Sequence, residues 1–281
     1  MKKLVFAIVL VFSITLTFAQ DKKEEVKDGW TKGGNVAITF NQSAFNNEWT
    51  GGGIANILAN ALVNYDFNLK KGDLIWDNKI IFDYGALKND GDAKFTKSND
   101  RLEFNSLAGK KAKGLWYYSF YFNMKTQMDS GYDKETGVKT SHFFSPAYFQ
   151  AGPGMQWKKS DNLHVNISPA AAKYIIVHDE FAGAYGTDPG KTTAFELGAS
   201  LRGYYKVDLM KNISMENLLA LYSNYLDKPQ NVDVDYTMNL VMQVNKHIST
   251  NLVFQAIYDD NTNPMGFQIR EAFGIGFTAK F

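Results

Sequence analysis

Residues 268–281, QIREAFGIGFTAKF, decide how the rest of the chain is interpreted. Phe273, Ile275, Phe277 and Phe281 occupy one phase of a two-residue alternation, whereas the other phase holds mainly polar or small residues. Alternate side chains of a β-strand point to opposite faces. The pattern therefore predicts a strand with one apolar face, of the kind from which membrane β-barrels are built.

Eleven further segments show the same period with differing clarity. The alternation is clearest in residues 232–245, whereas the adjacent Leu218 and Leu219 leave both faces of residues 213–224 partly apolar. With the C-terminal segment, they predict about twelve strands. The eleven segments are residues 33–41, 57–69, 74–85, 101–108, 116–126, 147–157, 195–207, 213–224, 232–245 and 248–259, together with one that begins at residue 163.

The connections between these segments alternate in length. Those after even-numbered segments are short, whereas three of those after odd-numbered segments are long, at residues 88–99, 128–143 and 175–191. Bacterial outer-membrane barrels have an even number of antiparallel strands, short periplasmic turns and longer extracellular loops. We therefore predict an all-β fold, a transmembrane antiparallel up-and-down β-barrel of about 12 strands.

The composition excludes several other classes of protein. Beyond the N-terminus the chain has no apolar run long enough for a transmembrane helix. The net charge of +1 argues against nucleic-acid binding, and the absence of cysteine excludes disulfides and thiol chemistry. A soluble β-sandwich or lipocalin-like barrel remains the alternative fold, because its strands also alternate.

The N-terminus carries a targeting signal. Lys2 and Lys3 precede an apolar core and a small-x-small exit at residues 17–19, which predicts a signal peptide over residues 1–19. Residues 20–29 are predicted to be a charged periplasmic tail, and residues 30–281 the barrel. The predicted location is the outer membrane, with the barrel integral and in contact with lipid.

The polar phase of the strands carries charges of both signs, which we expect to face the lumen. Charges that are buried there need partners, but a mixed lumen would also suit a narrow pore for polar solutes. The sequence does not separate these roles. The candidate lumen residues are Asp66, Asp77, Lys79, Asp83, Arg101, Glu103, Lys125, Glu196, Arg202, Glu216, Asp233, Asp235 and Arg270.

Four aromatic residues on the apolar phase fall at the predicted periplasmic ends of strands. Tryptophan and other aromatic residues form girdles at the two interfaces of a membrane barrel. We therefore predict a periplasmic aromatic belt of Trp76, Trp116, Trp157 and Phe281.

No catalytic or metal site is predicted, and no cofactor is expected. His142 lies near Ser141 and Ser145, but a loop histidine beside a serine is weak evidence for a hydrolase. Acidic loop residues could gather a hard cation, but EF-hand spacing is absent and solvated charge explains them better.

Four long stretches are similar to a family of uncharacterised Gram-negative outer-membrane proteins known only as a domain of unknown function. They are DGWTKGG at 28–34, SPAAAKYIIVHDE at 168–180, GAYGTDPGK at 183–191 and YSNYLDKPQNVDVDYTMNLVMQVNKHIST at 222–250. The resemblance implies a barrel in the outer membrane but supplies no activity, ligand or catalytic residue. A terminal Phe281 also resembles the signal that is read by the barrel-assembly machinery.

The expected function is a narrow channel or transporter for small polar solutes. The alternative is a structural barrel that is plugged by its own ion pairs and binds a surface partner through loops 128–143 and 175–191. An outer-membrane lipid hydrolase comes third.

Overall fold

The computed structural model describes residues 28–46, 54–133, 136–259 and 266–281. The predicted signal peptide and nearly all of the charged tail lie outside these residues. The first strand begins at Gly29, one residue before the predicted start of the barrel. The strands are β1 Gly29–Ser43, β2 Asn56–Lys71, β3 Leu74–Asn89, β4 Thr96–Lys113, β5 Trp116–Thr126, β6 Gly131–Tyr132, β7 Lys139–Ser141, β8 Ala147–Ser160, β9 Leu163–Ile176, β10 Thr193–Met210, β11 Ile213–Asn224, β12 Asp233–Gln243, β13 Ile248–Tyr258 and β14 Gln268–Lys280.

Twelve of these strands form one closed barrel in the order β1-β14-β13-β12-β11-β10-β9-β8-β5-β4-β3-β2. Each strand pairs antiparallel with its neighbours along the chain, and β1 closes the ring on β14 with Val36 opposite Ala279. The short strands β6 and β7 form a separate hairpin outside the barrel wall. The predicted twelve-stranded antiparallel barrel is therefore confirmed. Within the described ranges, no helix is long and apolar enough to cross a membrane.

The two ends of the barrel differ in their connections. At one end, here the turn end, neighbouring strands are joined by short turns such as Gly72-Asp73 between β2 and β3. At the other, the loop end, residues 127–146 and 177–192 form the connections between β5 and β8 and between β9 and β10. The second of these loops contains a single turn of 3-10 helix, Asp179–Phe181.

The predicted extent of the loop at residues 88–99 is wrong, because the observed loop is shorter. Strand β3 continues to Asn89 and β4 begins at Thr96, with Leu87 opposite Thr96. The Thr96 hydroxyl also donates a hydrogen bond to the Leu87 carbonyl over 3.1 Å. Residues 96–100 of β4 are polar on both faces, so alternation of hydrophobicity could not reveal this pairing.

Strand β5 shows how the alternation becomes two faces. Ser119 and Tyr121 are buried and face the barrel interior, whereas Trp116, Tyr118 and Phe120 are exposed on the outside. A closed barrel with apolar side chains outside and polar ones inside is the arrangement of transmembrane β-barrels. The soluble alternative would require the opposite arrangement, because a soluble barrel buries its apolar face.

The ambiguous strand β11 is resolved by its neighbours. Leu218 lies opposite Tyr204 on one side and Thr237 on the other, in the same phase of β11 as Glu216, whose carboxylate reaches across the lumen. Leu219 packs with Val234 and Tyr236 in an apolar cluster on the other face. Leu218 therefore faces the interior of the barrel, although polar patterning did not assign it there.

Two polar residues on the outer face are accommodated in different ways. Asn78 is only 2% exposed, and its side chain donates to the Phe67 carbonyl over 3.0 Å and accepts from the Ser106 hydroxyl over 2.8 Å. Glu271 is exposed and is the fourth residue of β14 from the loop end, and the pairing of β14 with β13 is regular there. A carboxylate near the rim costs little, whereas one at the midplane would be expensive.

The closing seam depends on close backbone approach at Gly276. A Cβ atom on this residue would lie 1.9 Å from the Ile38 carbonyl oxygen, which no real side chain tolerates. Strand β14 alternates such small inward residues with large outward ones, so β1 can lie tightly against it.

A charged lumen as the candidate functional site

The barrel encloses a cavity of about 650 Å³ that extends towards both ends. Its lining includes Asp161 and Asn162 of a turn at the turn end, and Pro146 and Tyr185 of the long loops at the loop end. Most of the remaining lining comes from inward-facing polar and aromatic side chains of the strands. The interior is thus neither an apolar core nor a wide open pore.

One ion pair crosses the full width of the lumen. Lys79 Nζ on β3 lies 3.0 Å from Glu216 Oε1 on β11, and β11 is the sixth strand from β3 in either direction around the ring. The same ammonium group lies 3.4 Å from Asp66 Oδ1 on the adjacent β2. The three side chains therefore form a two-carboxylate, one-cation bridge across the lumen at this level.

A second bridge crosses at another level of the lumen. Lys125 Nζ on β5 lies 2.7 Å from Asp235 Oδ2 on β12, five strands away around the ring. The other oxygen of Asp235 accepts a hydrogen bond from Gln255 over 3.1 Å. Both oxygens of this carboxylate are therefore held, which fixes its position in the lumen.

A third charged group lies on β4, beside the Lys125 bridge. Arg101 donates to Glu103, and the other oxygen of Glu103 accepts from Asn123 over 2.8 Å and from Asn105 over 3.0 Å. Glu103 is only 5% exposed. Pairing and hydrogen bonding offset the cost of burying this carboxylate. Without Glu103, the charge of Arg101 would be left uncompensated.

The remaining ion pairs lie towards the two ends. Lys158 Nζ contacts Asp77 at 2.6 Å and Asp161 at 2.9 Å at the turn end. Nearer the loop end, Lys173 Nζ lies 3.2 Å from Glu196 and 3.6 Å from Asp233. Arg270 reaches Asp83 at 3.4 Å.

All thirteen candidate lumen residues therefore take part in polar contacts in the interior, twelve of them in ion pairs with carboxylates or cations. Arg202 differs, because its guanidinium donates to the Gln150 amide over 2.7 Å and lies 5.2 Å from the centre of the Tyr121 ring. The charges belong to several separate clusters along the lumen rather than to one network.

Two lumen cations were missed from the sequence. Lys158 is the residue after the predicted end of its strand, which in fact continues to Ser160. Lys173 and Ser168 both face the interior although they are an odd number of residues apart, because the pairing of β9 with each neighbouring strand shifts register between them.

Three inward tyrosines also lie beneath cations: Tyr204 under Lys79, Tyr222 under Lys173 and Tyr121 under Arg202. The alternation predicted that Tyr121 and Tyr204 face inward, but it could not predict that a cation lies over each ring.

The four predicted belt residues lie at the turn end. Trp116 is directly opposite Trp157 across the β5–β8 pair, and Trp76 is 43% exposed near the start of β3. Phe281 stacks on Tyr65, with ring centres 6.0 Å apart. Trp30 was not predicted to belong, yet its ring lies 5.8 Å from that of Trp76.

The two long loops contact each other over the loop end. Lys139 Nζ lies 2.8 Å from Glu180 Oε1, and the Tyr185 hydroxyl donates to the Thr140 carbonyl. The hydrogen bond from Lys139 holds the pKa of Glu180 below its usual range. In the first of the two loops, a hydrogen bond from the Tyr84 hydroxyl similarly lowers the pKa of Asp129.

The serines beside His142 are engaged with other groups. The Ser145 hydroxyl accepts a hydrogen bond from the His178 backbone over 2.9 Å, and the Ser141 hydroxyl accepts from Lys97 over 3.1 Å. The His142 ring contacts Glu180 and the Phe143 carbonyl instead. The arrangement of a serine hydroxyl against a histidine ring that hydrolysis requires is not formed by these residues.

Comparison with known families gives one match. Residues 40–132 match the family DUF3078, a protein of unknown function. The resemblance to a family of unknown function is confirmed, although the matched residues are a different part of the chain from the four stretches that carried it. The match covers about a third of the chain, from the end of β1 to β6. None of the curated proteins matches the chain.

Solved structures that match the chain include outer-membrane proteins. An outer-membrane channel from Pseudomonas putida F1 is 11% identical with a TM-score of 0.42, over 94% of this chain and 100% of that one. The translocator domain of the autotransporter NalP from Neisseria meningitidis is 9% identical with a TM-score of 0.34, over 99% and 98%. The outer-membrane channel DcaP of Acinetobacter baumannii is 11% identical with a TM-score of 0.30, over 94% and 99%. At these values the likeness transfers no function to this chain.

Proposed function

We propose that this chain is an integral outer-membrane barrel that forms a narrow channel for small polar solutes, with its passage limited by ion pairs across the lumen. The observation that carries the proposal is the charged cavity that extends towards both ends and is crossed by the Lys79–Glu216 and Lys125–Asp235 bridges. Rings or walls of charged side chains are how barrel channels select their solutes. In this proposal, the passage widens when these side chains move apart.

Removing a carboxylate from a bridge is expected to change both conductance and ion selectivity. In Glu216→Ala, the shortened side chain widens the constriction, and the bridge changes from net negative to neutral, because Lys79 keeps Asp66 as its partner. We expect larger single-channel conductance in planar bilayers and a shift of the reversal potential towards anion preference. Asp235→Ala should act in the same direction, because it removes the other cross-lumen carboxylate.

Glu271→Ala is the matched control, since this carboxylate lies on the outer face of the barrel and should leave conductance unchanged. If the wild-type protein and both lumen variants conducted no current at any voltage, the channel would be ruled out. The second candidate would then be preferred, a plugged barrel that binds a surface partner through residues 128–143 and 175–191. The contacts between these two loops favour that candidate, because they present one connected surface.

We further propose that the C-terminal Phe281 is read by the barrel-assembly machinery, after a signal peptide at residues 1–19 has directed export. The Phe281 ring is 64% exposed at the turn end, and its backbone pairs with Gly34. Replacing Phe281 with alanine keeps that backbone pairing but removes the exposed ring.

The F281A variant is expected to accumulate outside the outer membrane in cells, yet to refold in detergent as efficiently as the wild type. Membrane fractionation and a refolding assay measure the two properties. Tyr118→Ala, which removes an exposed aromatic ring of the outer face away from the terminus, is the control. Normal membrane insertion of F281A would argue against recognition through this residue.

A further inference from the structure

Three potential metal ligands converge where the two long loops meet. The rings of His142 and His178 have their centres 4.8 Å apart, and Glu180 lies beside both. Glu180 Oε1 is 3.2 Å from His142 Nε2 and 3.9 Å from His178 Nδ1, and one ligand atom from each residue lies within 4.8 Å of the others. Ligand atoms of a tetrahedral zinc site lie roughly 3.3 Å apart, given metal–ligand distances of about 2.0 to 2.1 Å.

The tautomer of His142 is suited to metal binding. Its Nδ1 lies 2.7 Å from the Phe143 carbonyl, which can only accept a hydrogen bond, so Nδ1 carries the proton. In the neutral ring Nε2 carries the lone pair, and Nε2 is the nitrogen that faces Glu180. A ring N–H held by a backbone carbonyl is the usual support for a histidine ligand, because it orients the ring and raises its basicity.

The loops hold the three residues in place without a metal. The Ser145 hydroxyl accepts the His178 backbone N–H, and the His142 ring packs against Phe181 with ring centres 5.4 Å apart. His178 is the most exposed of the three, with 58% of its side chain accessible, so a small rotation of its ring can bring Nδ1 closer to Glu180. The site is therefore partly preorganised.

We propose that His142, His178 and Glu180 bind a divalent transition-metal ion, with zinc as the best fit. Two imidazoles and a carboxylate are donors that suit zinc better than calcium or magnesium, which prefer oxygen ligands alone. Three protein ligands leave a fourth position for water. The bound ion would cross-link residues 127–146 to residues 177–192 over the loop end of the barrel.

Lys139 competes with the metal ion for Glu180, because its ammonium group lies 2.8 Å from the same carboxylate oxygen. A zinc ion at that oxygen would repel the cation, so binding requires Lys139 to move away. The Lys139 side chain is 31% exposed and can turn into solvent. Lys139→Gln is therefore expected to bind zinc more tightly than the wild type, which a purely structural role for the cluster would not produce.

The test is calorimetric titration of the refolded full chain in detergent with zinc chloride. We expect one saturable site in the wild type, and a loss of affinity of at least about tenfold in His178→Ala, in His142→Ala and in Glu180→Gln, since even indirect support of a metal ligand is worth that much. His247→Ala in a turn at the opposite end is the matched control. Magnesium chloride should show no comparable binding.

Because His178 is half-exposed, its replacement should leave the barrel folded, and far-ultraviolet circular dichroism of each variant checks this. The proposal is overturned if the wild type shows no saturable zinc binding. It is equally overturned if folded His178→Ala binds zinc as tightly as His247→Ala, because the ion would then bind elsewhere.

Discussion

Replacing Phe120 with lysine is expected to destabilise the folded barrel in lipid by about 2 to 4 kcal/mol, the cost of a basic residue at the bilayer midplane. Phe120 is 54% exposed on the outer face of β5, four residues from Trp116 at the turn end. At this distance from the rim, a lysine cannot easily extend its ammonium group to the interface. Denaturant unfolding of the barrel in phospholipid vesicles measures the change.

Two control variants isolate the effect of the membrane. Phe143→Lys replaces a phenylalanine that is 65% exposed in a long loop, and should change stability by less than about 0.5 kcal/mol, as surface substitutions usually do. Phe120→Leu keeps the outer face apolar and should be close to neutral. A Phe120→Lys barrel that were as stable as Phe143→Lys would show that this face does not lie in the hydrocarbon layer.

Replacing Glu103 with alanine is expected to destabilise the barrel by about 3 to 5 kcal/mol, because it leaves Arg101, whose side chain is only 14% exposed, without its partner. Glu103 accepts hydrogen bonds from Arg101, Asn105 and Asn123, so all three donors would lose an acceptor. The same unfolding experiment measures this loss. The effect would fall below about 1 kcal/mol if the site were as well solvated as a surface ion pair.

The double variant Arg101→Met with Glu103→Leu separates pairing from packing. Replacing a buried ion pair by apolar residues of similar volume is often neutral or stabilising, so the double variant should recover most of the stability lost in Glu103→Ala. A double variant as unstable as the single one would mean that Glu103 acts through Asn105 and Asn123 rather than through Arg101. The outcome also indicates how wet the lumen is at this level, and therefore bears on the proposed channel.

The number of strands and the identity of their two faces could be predicted, because both follow from local alternation. In β5 a single period of two placed Ser119 and Tyr121 inside and Phe120 outside. The ends of the strands were harder to predict. Strand β4 extends from Thr96 to Lys113, whereas the alternation marked only residues 101–108, since its ends carry polar residues on both faces.

Lumen residues were predicted from the phase of the alternation, and they were missed where a register shift changes that phase. Lys173 follows an irregular pairing of β9 with both neighbouring strands, and such a shift moves every later side chain to the other face. Pro169 and the alanines after it gave no clear alternation there, so the change of phase was not visible. The loop cluster of His142, His178 and Glu180 was missed for a different reason. His142 lies in one long loop and the other two residues in the next, so only the folded loops bring them together.

The sequence by itself determined that this protein is a twelve-stranded barrel with an apolar outside and a charged inside. These properties depend on each residue and its near neighbours along one strand. Only the tertiary structure decided which charges meet. Lys79 and Glu216 are 137 residues apart and lie on opposite walls, and ring closure and the stagger of the strands bring them to the same height. Alternation specifies a face but neither a height nor a partner across the lumen, so the ion pairs that limit the proposed passage could not be predicted.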